Sequence, residues 1–342
     1  MKCSIIIPTL NRSEFLGITL EALTGLVTST QDYEIIVVDN RSTDDTRKVV
    51  ESFIEARPTI NILYVYEPIP GALSARHKGA LTAKGDVLIF VDDDVITCHE
   101  WLDAILGTFN DPDVHLVGGK SLPKFESTPP EWLNAFWVRE PGRSWCADLS
   151  LLDLGDKVAL IAPEDVWSLN YAIRKSTLFE LGGFHPDIVP EPYTQYQGDG
   201  ETGLAWKVKA KGYKVIYQPK ALVHHMIPDK RITIEYFKKR MFFYGIFDSF
   251  TTVRRNGGFK YELRMQYPLP QARRIMSRFR AKLSSDPYAV LKEDVRGEWL
   301  KGYEFHKNAV RSDPDVLEWV LRESYMDYRY GPYLKDEPTP VK

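Results

Sequence analysis

Short apolar runs alternate with stretches of helical spacing through the first part of this chain. Residues 4–7, closed by Pro8, read as a buried strand, and 33–38, 61–66 and 86–91 repeat the pattern. The last run, DVLIFV, is almost wholly apolar, which predicts a strand covered on both faces. Between the runs, 13–23 has helical spacing with Ser13 as candidate N-cap. Residues 43–56 follow with Ser42 or Thr43 as cap and Asp44 and Asp45 in the first turn, and 71–83 makes a third helix. This β-α-β-α-β-α-β rhythm predicts an α/β fold, Rossmann-like, with a mostly parallel central sheet flanked by helices. Ligands of such sheets bind beyond the carboxyl ends of the strands. Three polar clusters fall there: Thr9, Asn11 and Arg12; Asp39, Asn40 and Ser42; Asp92, Asp93 and Asp94.

The middle of the chain is less regular. Pro123, Pro129, Pro130 and Pro141 break 122–142, with Trp132, Trp137 and Trp145 among and after them. A loop-rich stretch with exposed aromatics suits a binding cleft or a mobile flap; a covering layer over the core is the alternative. Residues 99–109 read as a helix, 181–184 (LGGF) as a tight turn, and 203–211 as a helix ended by Gly212. Residues 214–217 and 221–225 read as two strands. From 232 to about 325 the pattern is mainly helical, and the tail, 332–342, is polar and loose.

Composition narrows the classes. With 44% apolar and 27% charged residues among 342, the chain has the mix of a globular protein, and disorder as its main state is excluded. A net charge of −3 gives no excess for nucleic acid. Cys3, Cys98 and Cys146 are too few and too scattered for a disulfide framework and read as reduced thiols. No apolar run approaches the ~18 residues of a membrane span, and the N-terminus lacks the regions of a secretory signal. The expected location is cytoplasmic. Charge is unevenly spread, however. Residues 230–282 hold 14 Lys/Arg against three acids, about +11, which leaves about −14 on the rest. That segment reads either as solvated helix faces or as a basic surface near an anionic membrane or lipid-linked substrate.

Familiar motifs are missing. No GxGxxG follows a strand, and the GKS at 119–121 has Val114 where a phosphate-binding loop needs glycine. The aspartate triplet is the informative feature. Three successive carboxylates at a strand end repel one another and are costly to remove from water. A hard divalent cation that shares its sites with substrate phosphates relieves the repulsion; a solvated, helix-capping loop is the bland reading.

With these residues in place, the sequence resembles the family 2 glycosyltransferases of the GT-A fold. The likeness runs from Ser4 to about His225, through SIIIPTLNR, EIIVVDNRSTDDT and GALSARHKGALTAKGDVLIFVDDDV. The resemblance implies a GT-A domain over 1–228, with a nucleotide-sugar part (1–95) and an acceptor and catalytic part (96–228). A mainly helical, basic C-terminal extension (229–330) and a loose tail (331–342) follow. It implies that Pro8, Thr9, Asn11, Arg12, Asp39, Asn40 and Ser42 line the nucleotide, that Arg76 faces the diphosphate, and that Asp92 and Asp93 serve the donor. Asp94 and His225 become metal ligands for Mn2+ or Mg2+. His77 departs from the Asn usual at its position. GDGETGLAWKVKAKGYKVIYQP resembles the block that carries the catalytic base. Spacing back from Gly212-Tyr213 favours Glu201, with Asp199 in reserve; both also fit as acids at a helix N-terminus.

The activity implied is inverting, metal-dependent transfer of a sugar from a nucleotide-diphosphate donor to a hydroxyl of a sugar, a lipid-linked sugar or another acceptor. Surface polysaccharide or glycoconjugate assembly is the family's common use. Membrane contact through 230–282 would place the chain on the inner membrane face. An inactive nucleotide-binding scaffold is the alternative; a sugar nucleotidyltransferase is weaker, since PTLNRSE lacks a Gly-rich triphosphate loop.

Overall fold

Both faces of the first strands are covered, and this explains the unbroken apolar runs. In the computed structural model, which describes residues 2–28, 32–258 and 270–328, the chain opens with β1 (Cys3–Thr9), α1 (Ser13–Thr24), β2 (Tyr33–Asp39), α2 (Thr46–Ala56), β3 (Asn61–Tyr66), α3 (Ala72–Thr82) and β4 (Val87–Val91). Next come β5 (Val95–Thr97), α4 (Trp101–Thr108), β6 (Val114–Phe125), β7 (Val138–Glu140), β8 (Arg143–Cys146), β9 (Leu151–Asp153), β10 (Ala159–Leu160) and β11 (Asn170–Arg174). The chain continues through α5 (Lys175–Glu180), α6 (Gly200–Ala210), β12 (Lys214–Ile227), α7 (Ile234–Arg255), α8 (Pro270–Lys282), α9 (Ala289–Ser312) and α10 (Pro314–Leu321).

Strands β3, β2, β1 and β4 lie side by side and parallel, and β11 joins antiparallel between β4 and β6. Alternate side chains enter two cores. Ile6, Ile36, Val38, Leu88 and Phe90 point to one; Ile5, Ile7, Ile35, Val37, Ile89 and Val91 point to the other. Register sets Thr9 of β1 beside Asp39 of β2, so two of the predicted polar clusters start level.

Several expectations change. Ser13 is not the N-cap of α1: Arg12 holds that position without a side-chain cap bond, and Asp44 accepts the Ser13 N–H at 3.0 Å. Neither Ser42 nor Thr43 caps α2, which starts three residues later than 43 because Asp44 also accepts the Thr46 N–H. One carboxylate thus serves two helix starts. The two strands expected at 214–217 and 221–225 are one, β12, with a register shift between Gln218 and Val223 against β6. The loop expected from 122 begins later, since β6 runs parallel to β12 through Phe125. Beyond it, Trp132 packs edge-on and Phe136 at a tilt against Phe237 of α7, so this stretch forms a covering layer.

The C-terminal helices share the sheet's core. Val310, Val316, Trp319, Val320, Tyr325 and Tyr328 belong to the same cluster as Phe90. Helices α7 and α9 cross at backbone contact: a Cβ on Gly302 would lie 1.8 Å from the Phe242 carbonyl oxygen, and one on Gly245 would lie 2.0 Å from that of Trp299. The expected tail, 331–342, and part of the basic segment, 259–269, lie outside the described residues.

Candidate active site

The carboxyl ends of β1, β2 and β4 open into a cleft of about 330 Å³, lined by Pro8, Thr9, Arg12, Asn40, Arg76, Asp92, Asp93 and Arg231 among others. One end of the site is built from β2. Asp39, 2% exposed, accepts the Ser42 N–H on Oδ1 (2.8 Å) and the Tyr64 hydroxyl on Oδ2 (2.7 Å). Burial and this carboxylate push the Tyr64 hydroxyl pKa up, so the phenol stays a donor. Asn40 holds the loop before α3: its amide donates to the carbonyls of Glu67 and Ile69 and accepts the Gly71 N–H. Asn11, in the left-handed region at φ 53°, accepts from Thr43, and its N–H donates to Ser42 Oγ. Asn11, Asn40 and Ser42 therefore shape the cleft by tying loops together.

The aspartate triplet divides into three environments. Asp93 accepts from Thr9 Oγ1 (2.6 Å) and pairs with Arg12 (2.8 Å), which anchors the end of β4 to the end of β1. Burial and the neighbouring acids, set against Arg12, leave its pKa at about 7. Asp92 is the outermost, its side chain 33% exposed and 4.0 Å from Arg76. Asp94 is fully buried, with Oδ2 within 2.6 Å of Arg12, 3.0 Å of Arg231 and 3.3 Å of His225 Nε2. Burial alone would raise its pKa; the guanidinium groups of Arg231 and Arg12 beside it hold it low.

His225 has a defined tautomer. A guanidinium can only donate, so Nε2 accepts from Arg231 Nη1 at 2.7 Å. Nδ1 then donates to the Leu149 carbonyl at 2.8 Å. This is the outer-shell arrangement that orients a metal-binding imidazole. The test of fit is Asp94 Oδ1, a buried carboxylate oxygen with no partner. That orphan oxygen and the Nε2 lone pair suit a hard cation with few protein ligands. Among the described residues no group of three or more His, Cys, Asp or Glu could hold a metal, so the remaining ligands would come from diphosphate oxygens and water.

The far wall carries the candidate base. Arg76, 3% exposed, donates to Ser168 Oγ (2.9 Å) and to Asp187 (3.3 Å). Burial opposes its charge, yet Asp187, Glu201 and Asp92 together raise its pKa. Glu201, in the first turn of α6, accepts a long 3.4 Å bond from the Ser168 N–H on Oε1. Burial, then repulsion from Asp187, raises its pKa against the pull of Arg76. Asp199 differs. It is 2% exposed, and both oxygens are engaged, one by His185 Nδ1 (2.7 Å) and one by Thr251 Oγ1 of α7 (2.6 Å). Sequence reasoning missed Asp187, Ser168, Tyr64 and Arg231. Arg231 stood only in a charge count, and nothing in the local pattern marked the others.

Known proteins resemble this chain in sequence and in fold. Residues 4–156 match the family model described as Glycosyl transferase family 2. The chain is 28% identical over 246 residues to the pre-mycofactocin glycosyltransferase of Mycobacterium tuberculosis, across 71% of this chain and 46% of that protein. It therefore spans about half the length of that relative. It is 22% identical over 248 residues to the glucosyl-dolichyl phosphate glucuronosyltransferase of Haloferax volcanii, across 72% of this chain and 75% of that one. Its fold matches a mannosyltransferase from Pyrobaculum calidifontis in complex with GDP-Man and Mn2+, with TM-score 0.53 and 18% identity, over 98% of this chain and 88% of that one. The chain has the GT-A fold with a helical C-terminal part, and its residues 4–156 are similar to glycosyl transferase family 2.

Proposed function

We propose that this chain transfers a sugar from a nucleotide-diphosphate donor to an acceptor hydroxyl, with inversion at the anomeric carbon. The observation that carries the reading is the position of Arg76, a buried cation in the cleft with the strand-end acids on one side and the candidate base on the other. Arg76 lines the cleft, touches Asp92 and Asp187, and feels the charge of Glu201.

In this reading the nucleotide lies over Thr9 and Asp39, and Arg76 fixes the diphosphate. Asp94 and His225 would hold Mn2+ or Mg2+, and Asp92 faces the same space. A bound divalent cation neutralises charge on the departing diphosphate. Glu201 accepts the proton of the attacking hydroxyl. Its raised pKa makes it a stronger base than a solvated carboxylate. Asp199 positions α6, which carries Glu201, by anchoring to α7. Attack from the face opposite the leaving group needs one base, in contrast to a retaining mechanism with a close carboxylate pair.

The acceptor is a sugar or lipid-linked sugar. Two similar proteins support that class: the haloarchaeal relative is a glucosyl-dolichyl phosphate glucuronosyltransferase, and the structural neighbour binds GDP-Man and Mn2+. Among the described residues no helix is long and apolar enough to cross a membrane. A cytoplasmic place beside the membrane completes the proposal.

Calorimetric titration with UDP, GDP and dTDP, each with and without Mn2+, tests it. Tight binding of one nucleotide, dependent on the metal, is expected. Absence of binding to all three, with and without Mn2+, overturns the reading.

A further inference from the structure

Helix α8 shows an unusual surface. Met276 is 54% exposed, Phe279 62%, and Leu283, just past the helix end, 73%. Every other helix exposes at most one large apolar side chain among the described residues. At about 100° per residue, these three positions fall on one stripe. Arg280 and Lys282 flank it on either side, and both are exposed. Neither makes an ion pair among the described residues.

The opposite face of α8 is occupied. Ser277 donates to Glu293 of α9 at 2.6 Å, and Arg278 pairs with Asp294 at 3.1 Å. The acids near α8 are thus turned toward its inner face. Asp286, in the turn after it, pairs with Lys292 at 2.8 Å. The outer face is left apolar with a cationic margin.

We infer that this face of α8 docks on a bilayer containing anionic lipids, with Met276, Phe279 and Leu283 entering the interface and Arg280 and Lys282 on the headgroups. Charge chooses this occupant. A second copy would bring the same cationic margins together, and like charges repel. A bilayer of anionic lipids complements them, and apolar residues with basic neighbours are the features of an in-plane interfacial helix. The inference goes beyond sugar transfer and needs neither donor nor acceptor for its test.

The experiment is co-sedimentation of the full chain with phosphatidylcholine vesicles and with vesicles of phosphatidylcholine and phosphatidylglycerol, at low and high salt. The wild-type chain should pellet with the anionic vesicles at low salt and stay in solution with phosphatidylcholine alone. A variant with Met276→Ser, Phe279→Ser and Leu283→Ser should lose binding by about tenfold or more. A second variant, Arg280→Glu with Lys282→Glu, should lose it similarly. Unfolding midpoints of both should match wild type, since these side chains are solvent-exposed. Failure of the wild-type chain to pellet overturns the inference. So does undiminished binding of the triple variant, or a wild-type dimer that the triple variant converts to monomer.

Discussion

Arg231 Nη1 stands 3.0 Å from Asp94 Oδ2, and the same nitrogen is 2.7 Å from His225 Nε2. Asp94 and His225 approach to 3.3 Å as two acceptors, and the guanidinium is the cation that lets them do so. A divalent ion that uses both groups has to displace it. Arg231→Met should therefore tighten Mn2+ binding in the absence of nucleotide by about tenfold, equivalent to about 1.4 kcal/mol. Free Mn2+ measured by electron paramagnetic resonance checks this. Weaker binding in the variant would show that the guanidinium helps to hold the ion.

Glu201→Gln should lower transfer by about 10²- to 10⁴-fold. Nucleotide affinity should stay within error, because no donor contact is assigned to this side chain. Single-turnover rates and calorimetry on one preparation separate the two effects.

The pH profile follows from the same carboxylate. Glu201 has to be ionised to act as a base, and burial with Asp187 raises its pKa. Activity should fall as pH drops through that raised value. Asp187→Asn removes the like charge, lowers the pKa of Glu201, and should move the acid limb to lower pH. An unmoved limb would mean that another group sets it.

His77 makes stability depend on pH. It is wholly buried, and its Nε2 accepts the Phe184 N–H at 3.0 Å. Burial depresses its pKa to about 3 from an ordinary 6.5. The unfolded chain therefore takes up a proton below about pH 6.5 that the native state refuses, and stability falls as pH drops from there toward 3. Between pH 7 and pH 5 this one group should remove about 2 kcal/mol. Urea unfolding at both values should show the difference shrinking by that amount in His77→Asn.

The crossing of α7 and α9 leaves no room for a methyl group. Gly302→Ala should destabilise the fold by about 3 kcal/mol, at the upper end for overpacking, because the obstacle is the backbone oxygen of Phe242. Thermal unfolding of the variant checks this. An unchanged midpoint would mean that the two helices can separate freely.

Much of the fold was legible because its signals are local. Parallel strands with two covered faces carry near-continuous apolar runs, and 35–38 and 87–91 are such runs. Helix starts were less legible, since the first N–H of α1, that of Ser13, is accepted by Asp44, 31 residues away. The break expected between 217 and 221 was an irregularity within β12, because pairing with β6 continues on both sides of it.

The sequence by itself determined the strand ends, and with them the neighbourhood of Thr9, Asp39, Asp92 and Arg76. An apolar run and the polar residue that ends it are both read from neighbouring positions. The tertiary structure decided which polar group is engaged and which is left over. Asp199 is engaged by Thr251, 52 residues on, Asn40 by the loop at Glu67 and Ile69, and Asp93 by Thr9, 84 residues back. Asp94 Oδ1 is left without a partner. A buried carboxylate takes its character from the donors and charges within a few ångströms, and here the chain supplies them from far along its length.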